Sequence, residues 1–443
     1  MTRKFILAGA LLLHYASIPL ANTVTVGTIA ELTSAASELS PGDTLLLRDG
    51  IYSIQSYGVV VRTDRVVIRS LSGDRERVVV TGAGMDGAID HGFWISADNV
   101  TIRDMTIQNV RYHCIQTDVN TDSLRVINCI LRDGGEQMLK VPFNAGEPDP
   151  SENGLVEGCL FDFSAGIAFR GYTGGIDCHF AKNWIVRNNV FKYIRSPEDA
   201  PAEHAIHFWT NSENTLVENN VIIDCDRGIG FGLGDVPHKG GIIRNNMIYH
   251  RAIGGNDHAD AGIILETCAD ARVYNNTVFF ENDYPNAIEY RFTSTTGVVI
   301  ANNLTNKAIR ARDGATGTVS ANITAAQAGW FRSLSTGDLH LSSGSIGTVI
   351  DQGIAVDGLT HDIDGDTRPQ GSGIDIGADE YLDAAVLKPG MTRPAKPPDP
   401  VQWIITRSHG SSGVFAGAES RDLAGRRIRY TGSVRGVYFI MGK

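Results

Sequence analysis

The sequence predicts an all-β fold, a right-handed parallel β-helix in which the chain winds as a solenoid and stacks strand on strand. Three observations predict it. One pattern repeats from Gly175 onward: a short strand, a polar turn, a second strand, then Asn-Asn. GIDCH (175–179) precedes WIVRNNVF (184–191), AIHFW (205–209) precedes TLVENNVI (215–222), and GIGFG (228–232) precedes GIIRNNMI (241–248). GIILE (262–266) with ARVYNNTV (271–278), and AIEYR (287–291) with GVVIANNL (297–304), complete the run. The second Asn falls at 189, 220, 246, 276 and 303, a spacing of about one solenoid coil. Finally, 42% hydrophobic residues, 49 Gly and only 20% charged residues describe a packed, turn-rich body.

In chain order, residues 1–21 read as a secretory signal: Arg3 and Lys4, the apolar run Phe5–Leu13, then Pro19-Leu20-Ala21 before Asn22. That run is too short to span a bilayer and no other stretch is long enough, so the chain is expected to be exported with no transmembrane segment. The β-helix is expected over 22–345. It opens with a strand, TVTVGT (23–28), and with IAELTSAASEL (29–39), whose spacing is helical. This helix is expected to cap the solenoid, whose end would otherwise bare a core and a strand edge. PGDTLLLRDGIYS (41–53) reads as a turn, a buried strand and an Asp-Gly turn. Less regular coils follow: NVTIRDMTI (99–107) before CIQTD (114–118), SLRVINCIL (123–131) before MLKVP (138–142), and NGLVEGCLF (153–161) before GIDCH. There Met105, Cys129 and Cys159 hold the place of the later second Asn, which makes eight to eleven coils in all.

A closing segment (346–385) contains HDIDGDTRPQGSGIDIGADEY (361–381). Asp362, Asp364 and Asp366 are spaced as in a calcium loop, without its Gly and distal Glu; a set of Asp-Gly turns is the plainer reading. A Pro-rich linker (386–400) and a small strand-rich tail (401–443) follow.

A tight bend between sheets needs a left-handed residue, which Asn tolerates better than other non-Gly types. A stacked Asn amide also hydrogen-bonds its neighbours above and below. The repeated Asn are therefore read as scaffold. The six Cys (114, 129, 159, 178, 225, 268) include no Cys-x-x-Cys pair, which leaves a zinc ribbon or thioredoxin motif unsupported. Cys129 and Cys159 are expected to stack in neighbouring coils, as buried thiols or as a disulfide. The net charge of −11 argues against a nucleic-acid partner and requires local basic residues at any site for an acidic substrate.

Alternate residues of a strand face opposite sides. Ile176, Ile206, Ile229, Ile263 and Ile288 are expected inside, as are Cys178, Phe208, Phe231, Leu265 and Tyr290. Two outward columns remain. The first reads Gln116, Lys140, Asp177, His207, Gly230, Ile264, Glu289; the second reads Asp118, Pro142, His179, Trp209, Gly232, Glu266, Arg291. With coils about 4.8 Å apart, Lys140, Asp177, His179 and His207 gather on three consecutive coils as candidate catalytic residues. Trp209 offers an aromatic platform, Gly230 and Gly232 a hollow floor, and Glu266 and Arg291 its far wall. RGYTG (170–174) places Arg170 and Tyr172 close by, and the turn before AIHFW brings Glu198, Asp199, Glu203 and His204 in an overhanging loop. Acid–base groups, a platform and a dent describe a sugar-binding cleft; chance clustering on a solvated face is the alternative.

Three chemistries compete. A lyase acting on a uronate would use Lys140 or His207 as base, Arg170 or Arg291 to neutralise the carboxylate, and Tyr172 or His179 as acid. A glycoside hydrolase needs two carboxylates about 5–5.5 or 6.5–9.5 Å apart; Asp177 and Glu266 are the best pair, two to three coils apart. A metal site would draw on Asp177, His179 and His207. An outward His207 is also expected to tolerate replacement by Ala with little loss of stability. The leading expectation is a secreted carbohydrate-active enzyme, a polysaccharide lyase on an acidic polysaccharide. The alternatives are a glycoside hydrolase and a non-catalytic cell-surface or carbohydrate-binding β-helix.

The repeats and the PGDTLLLRDGIY opening resemble the secreted β-helix superfamily that includes the pectate lyases and the chondroitinase B/alginate lyase group. The resemblance covers about residues 23–345 and implies the fold, a polysaccharide substrate and, by analogy with that group, calcium. In that group a Lys in an Asn-Lys-Ser strand and an Arg in an Arg-His-Gly strand carry the elimination. The matching strands here read GIDCH and AIHFW, so that pair is not carried over. DIDGDTRP…DIGADEY resembles the closing segment of exported β-helix proteins. DLAGRR and GVYFI in the tail resemble a truncated type IX secretion sorting module, which implies attachment at the cell surface.

Overall fold

The computed structural model describes residues 21–254 and 258–382. Nearly all of the expected signal (1–21), the Pro-rich linker (386–400) and the tail (401–443) lie outside the described residues. Among the described residues no helix is long and apolar enough to cross a membrane.

The chain is an all-β right-handed solenoid, and each central coil follows one path. Strand Gly174–His179 belongs to a ten-stranded sheet and Ala181–Lys182 to a five-stranded ribbon. Ile185–Arg187 belongs to a twelve-stranded sheet and Val190–Lys192 to a second ten-stranded sheet. Successive coils pair in parallel and in register; Val186, Val217, Ile243 and Val273 stack one upon another. The corners turn on left-handed residues: Phe180, Asn183, Asn188 and Tyr193 in one coil, Thr210, Asn214, Asn219 and Asp224 in the next.

The two Asn of each pair divide the roles that the sequence assigned to them jointly. The first (188, 219, 245, 275, 302) takes the left-handed corner, with φ between 49° and 58°. The second is buried and builds the ladder. The Asn189 amide donates to Asn220 Oδ1 at 3.0 Å, Asn220 to Asn246 at 3.0 Å, Asn246 to Asn276 at 2.9 Å and Asn276 to Asn303 at 2.9 Å. Each Oδ1 also accepts the backbone N–H of the Asn one coil back. Earlier coils substitute sulfur. Cys159 N donates to Asn189 Oδ1 at 2.9 Å and Cys129 N to Cys159 Sγ at 3.4 Å. All six cysteines are buried free thiols, so the stacked pair is not a disulfide.

Inside the coils the expected Ile column is fully buried, and Cys178, Phe208, Phe231 and Leu265 lie beside it. Helix Ile29–Glu38 covers the first coils with Leu32 and Ala36 in the same core. A reciprocal cap fixes its start, in which Thr28 accepts from Glu31 N and Glu31 accepts from Thr28 N. The closing segment docks along the row of first asparagines. Asn245 donates to His361 O, Asn275 to Asp375 O and Asn302 to Ile354 O, each within 2.9 Å. Arg368 is buried there against Glu380 at 2.7 Å. Asp362 accepts the backbone N–H groups of Asp364, Asp366 and Glu380, as an Asp-led turn does.

Asn189→Ala strands the Cys159 N–H in the core and removes the side-chain donor from the Val156 carbonyl. It is expected to cost about 1–3 kcal/mol, the range for one unsatisfied buried group. Asn188→Gly, one residue away at the exposed left-handed corner, should leave stability nearly unchanged. Urea unfolding of both variants checks the division of roles.

Candidate functional site

The outward face of the ten-stranded sheet containing Gly174–His179 carries both columns in register. Gln116 lies beside Lys140, Lys140 beside Asp177, Asp177 beside His207 and His207 beside Gly230. His179 lies beside Trp209, and Glu266 beside Arg291.

Asp177 is the hub. Its Oδ2 accepts from Lys140 Nζ, and its Oδ1 accepts the Trp209 indole N–H at 2.8 Å. His179 Nε2 lies 3.4 Å from Oδ2 and 2.9 Å from Lys140 Nζ. Burial alone would raise the Asp177 carboxyl. The adjacent His179 and the Lys140 charge outweigh it and hold the group well below the usual carboxylate range. Asp177 is therefore a fixed anion tying a cation, an imidazole and an indole together.

The hydrogen-bond partners also assign tautomers. Lys140 can only donate, so His179 Nε2 accepts and its Nδ1–H donates to Thr210 Oγ1 at 3.0 Å. Thr210 sits at φ +55°, a left-handed conformation that a β-branched residue holds only under constraint from its surroundings. The strained corner thus sets the orientation of the ring.

Several sequence expectations need correction. His207 belongs to the outward column but is only 2% exposed, stacked on Trp209 (centroids 5.3 Å, 6° between planes) and against His204 (4.3 Å). Its ring is sealed from solvent, so it is not placed to act as a base, and His207→Ala would leave a cavity. Gly230 and Gly232 leave no hollow. A Cβ on Gly230 would meet the His204 ring at 2.7 Å, and one on Gly232 the Glu266 carbonyl at 1.8 Å. Glu266 stands three coils from Asp177, about 14 Å by strand spacing, beyond the reach of a hydrolytic carboxylate pair. Its carboxylate accepts from Gly234 N and Arg291. Arg291, four coils from His179, is paired with Asp313 at 2.8 Å. The expected metal triad of Asp177, His179 and His207 has the Lys140 ammonium between its first two members, where it repels a cation.

Arg170 and Tyr172 lie on the loop before Gly174–His179. Arg170 donates to Met85 O at 3.1 Å, and its charge acts on Glu136. Tyr172 is 54% exposed with its hydroxyl outside the network. Gly171 N donates to Glu198 Oε1 at 2.9 Å, which joins this loop to the acidic one.

Sequence reasoning stopped the first column one coil short. Trp94 lies beside Gln116 and donates its indole N–H to Asp118 at 2.7 Å, as Trp209 does to Asp177. Tyr57, His91 and His113 pack around it, with the two imidazoles stacked at 5.5 Å. Extending the column by one coil would have found Trp94. Trp94 and Trp209 bracket Lys140, Asp177 and His179 across four coils, about 19 Å.

Residues 50–222 match the family described as right handed beta helix region. No curated protein sequence matches the chain. Among solved structures, an alginate lyase from Paenibacillus sp. strain FPU-7 is similar at 12% identity and a TM-score of 0.39, covering 68% of this chain and 99% of its own. A lacto-N-biosidase from Eubacterium ramulus is similar at 11% identity and a TM-score of 0.47, covering 68% and 67%. Endopolygalacturonase I from Stereum purpureum is similar at 12% identity and a TM-score of 0.40, covering 68% and 100%. At these values no activity is transferred from any of them.

Burial pushes the His113 imidazole down to about 3, His91 and Lys140 push the same way, and the Gln137 carbonyl and Asp177 oppose. Glu136 also faces it, at 3.9 Å. Unfolded, the ring titrates near 6.5, at about the model-peptide value. The unfolded chain therefore binds more protons between about pH 6.5 and 3, and stability falls as pH falls through that window. From about pH 7 to about 4.5 the wild type should lose roughly 2–3 kcal/mol more than His113→Phe. Urea unfolding at both pH values measures the difference, and equal losses would contradict the assigned burial.

Proposed function

We propose that the chain is a carbohydrate-active enzyme, a polysaccharide lyase that cleaves an acidic, uronate-containing polysaccharide by β-elimination at Lys140, Asp177 and His179. The observation that carries this reading is the ionised, buried Asp177 holding the Lys140 cation beside the His179 ring on an outer face between two indole platforms. The charge around Asp177 decides the roles. Paired with the carboxylate, Lys140 serves as the cation that meets the uronate carboxylate and stabilises negative charge developing on it. As Lys140 turns from His179 to the uronate, the Nε2 lone pair that accepted its hydrogen bond takes the proton from the carbon beside that carboxylate, and Thr210 holds the ring by its other nitrogen. The electron pair left on that carbon forms a carbon–carbon double bond as the bond to the leaving glycosidic oxygen breaks. Tyr172, in the adjoining loop, is the candidate donor of a proton to that oxygen, with Arg170 beside it as a second positive charge. The global charge of −11 makes such local cations necessary for an anionic chain.

Hydrolysis is disfavoured by the distance between Asp177 and Glu266 and by the hydrogen bonds that occupy both. Export through residues 1–21 and surface attachment through 401–443 belong to the same proposal, because a polymeric substrate is met outside the cell.

The test is incubation with a panel of uronate and neutral polysaccharides, with and without calcium, read by ultraviolet absorbance and by reducing ends. Elimination gives an absorbing unsaturated product together with new ends. New ends without absorbance would mean hydrolysis, and retention without either would mean binding alone; each contradicts the proposal. His179→Gln is expected to lower kcat/KM about 10²–10⁴-fold, the usual contribution of a positioned proton acceptor. Its melting temperature should stay close to wild type, because the Gln amide can take over the hydrogen bonds to Lys140 and Thr210 that the partly exposed ring makes.

A further inference from the structure

Beside the proposed catalytic cluster lies a second group of side chains that it does not use. We propose that Glu203, His204 and His207 form a binding site for one divalent transition-metal ion of the zinc class. Each of the three offers a donor atom within 4.8 Å of the others. Donors bound to one zinc at about 2.0–2.2 Å in tetrahedral geometry lie about 3.3–3.6 Å apart, so side-chain rotations that draw the three groups in by about 1 Å close the site.

Two independent features point to a ligand there. His204 is 3% exposed, yet neither of its ring nitrogens has a hydrogen-bond partner. A buried polar atom left unpaired costs about 1–3 kcal/mol, and a metal bond would satisfy it. The fold also makes room for the ring. In a regular strand residues 204 and 207 would face opposite sides. Here His204 stands at the start of strand His204–Trp209, and its ring crosses the outer face over Gly230, where any side chain would collide with it.

His207 is prepared in the complementary way. Its Nε2 lies 3.1 Å from the Gly232 carbonyl, which can only accept, so Nε2 carries the proton and Nδ1 keeps its lone pair. An imidazole that donates one nitrogen to a backbone carbonyl and ligates through the other is the usual arrangement at protein-bound zinc. Glu203 supplies the negative charge. Its nearest cationic atom, Arg227 Nη1, is 3.7 Å away and Arg227 is also bound to Asp260 at 3.2 Å, which leaves the carboxylate able to turn to the ion. Two imidazoles and one carboxylate favour a zinc-class ion over calcium or magnesium, which prefer all-oxygen shells. The ion would pin the acidic loop ending at Glu203 to the strand that carries Trp209.

The test uses the full chain stripped with a chelator and titrated with zinc, and separately with cobalt(II), in excess calcium. The expected result is about one equivalent per chain, with visible cobalt bands showing imidazole ligation. His204→Phe keeps the buried ring volume, and Glu203→Gln alters a half-exposed loop residue. Each is expected to weaken binding about 10–100-fold or more while far-ultraviolet circular dichroism stays that of wild type. Absence of binding by the wild type, displacement of zinc by calcium, or unchanged stoichiometry and affinity in both variants would overturn the proposal. Unchanged binding in both variants would direct attention to the other candidate group, His340, Asp364 and Asp379.

Discussion

Register is the constraint on which the rest of the molecule depends. A solenoid brings residues some thirty positions apart into contact only if every coil closes in the same register. The buried ladder of second asparagines is what enforces this. Each amide accepts one backbone N–H and one amide N–H from the coil before it, and a shift of one residue would strand all of them in an apolar core. Corners that absorb a left-handed residue let coils of unequal length meet that requirement. Loops of different size, such as 193–203 and 224–226, can then leave the coil at one edge without disturbing the stack.

The site follows from that register. Lys140 is 37 residues from Asp177 in the chain, and Trp209 is 32, yet all three meet because their strands are neighbours. Asp177 converts proximity into a defined arrangement. A buried carboxylate has to be compensated, and here the Lys140 ammonium and the Trp209 indole N–H do so. The resulting network holds Lys140 and His179 at an orientation that exposed side chains would not keep on their own. The same face shows an indole held by an Asp twice, Trp94 by Asp118 and Trp209 by Asp177. Rigid aromatic platforms at both ends of a charged cluster suit an extended chain of sugar rings.

Much of this was legible in the sequence, and the rest was not for physical reasons. Strand periodicity and the Asn pairs determine which residues share a column, because in-register stacking turns sequence position directly into space. They do not say whether an outward side chain is reached by water. His207 points outward and is buried, because Trp209 from its own strand and His204 from the strand entry close over it. A glycine in such a column reads equally as a hollow or as room for a neighbour. At Gly230 it is room for His204, which no alternation rule places on that face. The roles of the two Asn were likewise inseparable by pattern, since both positions recur with the same period and only the corner geometry tells them apart.

The central claim is that Lys140, Asp177 and His179 act as one unit. A double-mutant cycle in kcat/KM on a uronate polysaccharide tests it most directly, with Asp177→Asn, His179→Gln and the pair compared with wild type. Groups that act together are strongly non-additive. The account predicts that the double variant is about as slow as the worse single variant. Losses that simply add would contradict it, because Asp177 and His179 would then contribute independently.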